Sequence, residues 1–153
     1  YKDILAFKDV GADKILDFVD VGLPSSICST DIYKEKFEQM LSRIAKENAD
    51  VAIIEIGASP LEPYNGDIAI NALREHIKCT ILSASDPYAV YGLMKAFELV
   101  PDIVTGVASN TLAGARMVKE LCGVRALNLI DSTTTKALKE ILTEKTGMSL
   151  KTK

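Results

Sequence analysis

The sequence is poor in the residues that build metal sites and acid–base triads. It has three cysteines, Cys28, Cys79 and Cys122, no C-x-x-C pair, and a single histidine, His76. A structural zinc site usually takes four Cys or His ligands in paired spacing, so the sequence argues against one. His76 ends a predicted helix, which argues against a Ser–His–acid triad. An odd number of scattered thiols is typical of a reducing compartment, and we predict a cytoplasmic protein.

Signatures of nucleotide, membrane and nucleic-acid binding are also absent. The sequence has no G-x-x-x-x-G-K-[ST] loop, no G-x-G-x-x-G turn and no G-x-S-x-G elbow. No apolar run approaches the roughly 20 residues that span a bilayer. Lys and Arg number 18 and Asp and Glu 21, which gives a net charge of −3 and no basic footprint. We therefore expect a small-molecule ligand, and neither nucleic acid nor membrane as a partner.

The length and composition are those of one globular domain. The chain has 153 residues, of which 48% are apolar and 25% charged. We predict a single domain over residues 1–147 and a polar tail over 148–153. The chain begins at Tyr1 and not at Met, so a processed protein and a fragment of a longer chain both stay open. A homodimer formed through an edge strand or a helix is compatible with a domain of this kind.

Apolar runs alternate with helix-like stretches along the chain. Asp86-Pro87 predicts a helix start and Gly123 a helix end, because Asp caps amino termini, Pro suits the first turn and Gly adopts the left-handed cap. Short connections between strands and helices predict parallel strands with helices on both faces. The fold class is therefore α/β, a three-layer doubly wound sheet of about five mainly parallel strands, Rossmann-like or flavodoxin-like. The predicted strands are 14–21, 51–56, 79–84, 102–108 and 124–130. The predicted helices are 1–10, 31–48, 67–77, 87–99, a helix through Leu121 that Asn110 caps, and a last helix that Ser132 or Thr133 caps and that ends near Gly147.

The ligand edge of such a sheet lies at the carboxyl ends of its strands. After the first strand we predict ligand contacts from Asp20, Ser25 and Ser26, with an ordinary connection as the equal alternative. After the third strand Ser85 is a further candidate, next to Asp86, which helix capping alone explains.

The second predicted strand is followed by the most informative stretch, Glu55 to Asp67. A carboxylate within an apolar strand needs a cation, a metal or several hydrogen bonds, so Glu55 is the candidate catalytic residue. Gly57 permits close approach of a ligand, and Ser59 and Asn65 are candidate ligand contacts. The alternative is that the carboxylate of Glu55 only caps a neighbouring helix.

Three pieces of the sequence carry a resemblance to a known superfamily. They are KDILAFKDVGADKILDFVDVGLPSS, ADVAIIEIGASPLEPYNGD and CTILSASDPYAV. Together they resemble the C-terminal part of P-loop NTPase-like proteins that are distantly similar to dethiobiotin synthetase. The phosphate-binding strand and loop of that superfamily lie N-terminal to the region that matches, and the chain lacks them.

The resemblance implies a function in which this chain supplies the substrate side of an ATP- and Mg²⁺-dependent ligase or kinase-like enzyme. It implies that Glu55 supports Mg²⁺ near the nucleotide phosphates and that Gly57, Ser59 and Pro63 shape the substrate side. ATP and Mg²⁺ are expected as cofactors only if a phosphate-binding loop precedes the chain. The alternative is a non-catalytic module for ligand binding or oligomerisation, because no nucleophile–base pair is present.

Overall fold

The computed structural model describes residues 2–57, 59–60 and 63–149. These residues belong to two compact units, Tyr1–Glu75 and His76–Lys153. The first unit contains the helices α1 (Lys2–Asp9), α2 (Thr30–Lys46) and α3 (Gly66–Leu73) and a 3-10 turn at Phe18–Val21; a second turn, Arg74–His76, follows α3. The second unit contains the strands β1 (Ile81–Ser83) and β2 (Ile103–Thr105), the helices α4 (Pro87–Phe97), α5 (Leu112–Cys122) and α6 (Thr135–Thr146), and 3-10 turns at Val107–Ser109 and Ser132–Thr134.

The N-terminal unit is built around α2. One face of this helix is apolar, and Tyr33 and Phe37 stack on it with their ring centroids 5.8 Å apart. Phe37 is buried, as are Ala69 and Ile70 of α3. Because α2 contacts both α3 and the turn at Phe18–Val21, this helix fixes the positions of the connecting loops of the unit.

The C-terminal unit holds a short parallel sheet. Strand β1 pairs with β2 in the register Ile81↔Ile103, and α4 forms the crossover between them. Beyond β2, a single parallel bridge joins Val104 to Ala126. The core of this unit is aliphatic, with its side chains contributed by the helices, by β2 and by the segments that flank them: Val90, Val104, Ala108, Val118 and Val124.

The helix ends follow from local side-chain chemistry. The carboxylate of Asp86 accepts hydrogen bonds from the backbone amides of Tyr88 and Ala89, and Pro87 occupies the first turn of α4. Gly123 ends α5 with a φ of 72°. Both predictions are confirmed. The cap of α5 is Thr111, one residue after the Asn110 predicted from sequence.

The predicted five-stranded doubly wound sheet is wrong. Two of the five predicted strands form in part, as β1 and β2, and the segment 124–130 contributes one bridge. The described chain is rich in helices instead, and its parallel sheet has two strands. No Rossmann-like or flavodoxin-like arrangement results.

The first predicted strand, 14–21, is not a strand. Its last four residues, Phe18–Val21, form a 3-10 turn, because two carboxylates accept hydrogen bonds from the backbone amides that open the turn. Asp17 accepts a hydrogen bond from the amide of Phe18 at 2.6 Å, and Asp20 accepts one from the amide of Asp17 at 2.8 Å. This reciprocal capping box closes the turn. Gly22, the residue that follows the turn, has a φ of 83°. Hydrogen bonds from the backbone to nearby side chains compete with the hydrogen bonds between strands, and in this segment the side-chain bonds form instead.

The second predicted strand, 51–56, has no strand partner among the described residues. Residues 51–57 form neither helix nor strand, and their backbone groups make no hydrogen bonds within the described chain. Four β-branched side chains of this segment are exposed: Val51 at 48%, Ile53 at 77%, Ile54 at 41% and Ile56 at 36%. We call residues 51–57 the unpaired segment.

Candidate functional site

The N-terminal unit contains an open groove of about 830 Å³. It is formed by the first turns of α2, the length of α3 and the residues that precede each helix. Its polar lining consists of Thr30, Lys34, Glu38, Asn65, Asp67 and Asn71. Its remaining lining consists of Cys28, Pro63, Ile68 and Ala72.

Asn65 holds the two sides of this groove together. Its side-chain amide nitrogen donates to the carbonyl of Ser26 at 2.8 Å and to the carbonyl of Cys28 at 3.2 Å. Its backbone is left-handed, with a φ of 60°, a conformation that Asn tolerates better than most residues. Asn65 therefore lines the groove as predicted, but its amide nitrogen is committed to the loop before α2.

The groove wall also carries ionisable side chains that have no partner within the described chain. Lys34, Glu38 and Asp67 form no ion pair or hydrogen bond with any described residue. Lys34 and Glu38 are one helical turn apart on α2, so their Cβ atoms lie about 5–6 Å from one another. Their charged ends are available to a bound molecule.

Tyr33 lies near Asp67 and Cys28, whose charges affect its phenol. Burial raises the pKa of its phenol, and the charges of Cys28 and Asp67 raise it further. Asp67 on α3 is thus electrostatically close to the first turn of α2. The phenol stays protonated at neutral pH and is a hydrogen-bond donor.

The predicted contacts after the first strand take structural roles. The hydroxyl of Ser25 accepts a hydrogen bond from the amide of Ile27 at 3.1 Å, and the carbonyl of Ser26 binds Asn65. The carboxylate of Asp20 belongs to the capping box, and its carbonyl accepts a bond from Arg43 at 2.7 Å. The structure thus brings Ser26 and Asn65 together, while Asp20 is held at the other end of α2.

Glu55 lies in the unpaired segment. Its side chain is exposed, whereas the sequence predicted a carboxylate within a buried strand. A Cβ added to Gly57 would stand 3.9 Å from Oε1 of Glu55, so the carboxylate folds back toward the glycine. Ser59 is half-buried. Among the described residues, no three His, Cys, Asp or Glu side chains gather where they could hold a metal ion.

Ser85 lies in the C-terminal unit and supports a helix cap. Its hydroxyl donates to Oδ2 of Asp86 at 2.8 Å, while Oδ1 accepts from the first amides of α4. The hydrogen bonds to Ala89, Ser85 and Tyr88 lower the pKa of the Asp86 carboxyl.

A second polar cluster, at the amino ends of β1 and β2, was not predicted from the sequence. Asp102 accepts a hydrogen bond from the amide of Thr80 at 2.8 Å and pairs with Lys145 of α6 at 2.7 Å. Burial, followed by the charge of Asp102, raises the pKa of the neighbouring Cys79 thiol. Since a raised pKa disfavours the thiolate, Cys79 is a poor nucleophile, and the cluster ties α6 to the sheet.

Sequence reasoning missed the groove residues on the helices. Lys34, Glu38 and Asn71 lie on the solvent-facing sides of their helices, where polar residues are expected in any protein. Their presence in the sequence therefore does not distinguish a binding site from an ordinary helix surface. The one available clue was the pair of loops that hold Ser26 and Asn65, because both residues are predicted to lie at the ligand edge.

Among known proteins, no protein-family model, no curated protein and no solved structure matches this chain. Within the described residues, no helix has both the length and the apolar character to cross a bilayer.

Proposed function

We propose that this chain binds a small polar molecule in the groove between α2 and α3. The observation that carries the proposal is the lining of the groove: Lys34, Glu38 and Asp67 present charges that no described residue neutralises. Ile68, Ala72 and Pro63 add apolar surface beside them. A concave surface with a few convergent polar groups and apolar walls is the usual form of a small-molecule site.

An NMR titration of the isotope-labelled chain tests this proposal. Amino acids, monosaccharides, short carboxylic acids, amines and nucleosides would each be added in turn, and the backbone amides followed. We expect at least one class to shift the amides of residues 28–38 and 63–72 selectively. Lys34→Met weakens or changes that binding, whereas Lys36→Met, on the same helix but outside the groove, leaves it intact. If no class shifts these amides, the groove is not a binding site.

The enzymatic form of the proposal rests on the resemblance to dethiobiotin synthetase-like proteins. In it, the chain is the substrate side of an ATP- and Mg²⁺-dependent ligase or kinase-like enzyme, and Glu55 supports the metal. The exposed carboxylate of Glu55 beside Gly57 is accessible for such a role. Titration calorimetry of the natural full-length protein with Mg·ATP is the test: we expect heat of binding that Glu55→Gln removes and Glu144→Gln, on the exposed face of α6, preserves. Absence of binding, or binding indifferent to Glu55, contradicts it.

The unpaired segment favours a second candidate function, self-association. Its backbone groups are unbonded, and its β-branched side chains suit a strand that pairs with another chain. Light scattering over a range of concentrations should then show a dimer that Ile53→Lys dissociates. Ile130→Lys is the matched control, because Ile130 is 94% exposed and lies in the other unit. A chain that stays monomeric throughout excludes this candidate.

A further inference from the structure

The charged side chains that line the groove are not paired with one another. Lys34 precedes Glu38 by four residues, the less favourable order for a helical ion pair, and no salt bridge joins them. On the opposite wall, Asp67 in the first turn of α3 presents a second carboxylate. The groove therefore offers one ammonium and two carboxylates, each without a charged partner in the described chain.

The space between these charges suits a short aliphatic body. Ile68 and Ala72 lie one helical turn apart on α3 and present apolar surface to the groove. Asn71, exposed on the same helix, accepts a hydrogen bond from Arg74 at its Oδ1, over 3.3 Å, and its side-chain amide nitrogen can donate to a ligand. A ligand that pairs with all of these side chains carries one positive and one negative group on a small apolar frame.

We infer that the groove takes an amino-carboxylate, a molecule with a carboxylate and an ammonium group on a short aliphatic frame. This inference rests on the proposed function and narrows its ligand class. The ammonium of Lys34 binds the ligand carboxylate, and the carboxylates of Asp67 and Glu38 bind the ligand ammonium. Charge-assisted hydrogen bonds of this kind are about twice as strong as neutral ones, so a ligand that makes both is favoured over one that makes either.

Three ligands that share one short aliphatic frame and differ in their charged groups separate the two contributions. The probes are 2-aminobutyrate, butyrate, which lacks the ammonium, and 1-propylamine, which lacks the carboxylate. Affinities are taken from the NMR shifts of residues 28–38 and 63–72 at fixed ionic strength. We expect 2-aminobutyrate to bind about tenfold or more tightly than either of the others.

Two variants assign each charge to its side chain. Lys34→Met weakens binding of 2-aminobutyrate about tenfold and changes that of 1-propylamine by less than about twofold. Asp67→Asn has the complementary effect: it weakens the binding of 2-aminobutyrate and of 1-propylamine and leaves the binding of butyrate unchanged. Lys36→Met leaves all three affinities unchanged. Both target residues are exposed, so the substitutions leave the fold intact.

The outcomes distinguish this inference from the proposed function. If monosaccharides or nucleosides shift the groove amides and 2-aminobutyrate binds no better than butyrate or 1-propylamine, the ligand class is wrong and the groove remains a binding site. If no probe of any class shifts these amides, the groove is not a binding site, and both the proposed function and this inference are wrong.

Discussion

At the scale of single residues, Asn65 is the side chain on which the shape of the groove depends. It joins the loop before α2 to the start of α3 through two hydrogen bonds from one amide nitrogen. Because both acceptors are backbone carbonyls, the link holds whatever side chains occupy positions 26 and 28. The geometry of the groove is therefore fixed by a residue that does not itself need to touch the ligand.

Replacing this amide by a carboxylate tests that role. Asn65→Asp removes the donor and places a negative group beside two carbonyl oxygens, so we expect the free energy of unfolding to fall by about 1–3 kcal/mol. Urea denaturation followed by circular dichroism measures the change. Asn71→Asp, at an exposed position of the same helix, is the control and should cost far less. Equal costs for the two variants would mean that the Asn65 link contributes nothing.

At the scale of secondary-structure elements, the helices were predictable, whereas only two of the five predicted strands, 79–84 and 102–108, form in part. The start of α4 at Asp86-Pro87 and the end of α5 at Gly123 are encoded within a few residues, because a cap is a local interaction. A strand needs a partner that may be far along the chain, so an apolar run alone does not determine it. Val51–Ile56 and Lys14–Val21 look alike as patterns, yet neither is a strand.

The same difference explains what the sequence revealed of the candidate site. Asn65 and Ser26 were predicted as ligand contacts because they follow predicted strands; they do lie together, but through a structural hydrogen bond. Lys34 and Glu38 were not predicted, because their significance comes from the position of α3 opposite them. Packing between helices is a tertiary property that a single helical pattern does not specify.

The capping carboxylate of α4 makes helix stability depend on pH. The pKa of Asp86 is lowered in the folded chain by its hydrogen bonds to Ala89, Ser85 and Tyr88. Its stabilisation is therefore complete above the ordinary pKa of an aspartate, about 4, and is lost as the pH falls through the lower folded value. The difference in unfolding free energy between the wild-type chain and Asp86→Ala should shrink toward zero from pH 6 to pH 2. Thr111→Ala, which removes the uncharged cap of α5, should show no such trend; a pH-independent cost for Asp86→Ala would contradict the capping role.

The turn that leaves β2 admits no side chain. Gly106 has a φ of 80°, and a Cβ there would lie 2.7 Å from Oγ of Ser83 and 2.8 Å from the carbonyl oxygen of Ala84. We expect Gly106→Ala to lower the midpoint of thermal unfolding, with a cost of at least about 2 kcal/mol. Gly92→Ala is the matched control, because Gly92 lies within α4 with open space around its Cβ position, and there alanine should stabilise by up to about 1 kcal/mol. Similar effects at the two positions would contradict the close approach.

At the scale of the whole molecule, the chain consists of two compact units with different content. The N-terminal unit is helical and holds the groove, whereas the C-terminal unit holds the parallel strands β1 and β2 and an aliphatic core. The binding surface that we propose therefore lies on a pair of helices. It does not depend on the rim of a continuous sheet, which is where the sequence pattern alone had placed it.

Hydrogen–deuterium exchange of the full chain tests this arrangement most directly, because it reads backbone hydrogen bonds residue by residue. At concentrations where the chain is monomeric, the amides of residues 51–57 should exchange at close to the rate of an unstructured peptide. The amide of Ala84, bonded to Thr105 of β2, and the amide of Val104 in β2, bonded to Arg125, should be strongly protected. Protection of residues 51–57 equal to that of β2 would mean that this segment is paired in a sheet, and would contradict the architecture on which the proposed groove is based.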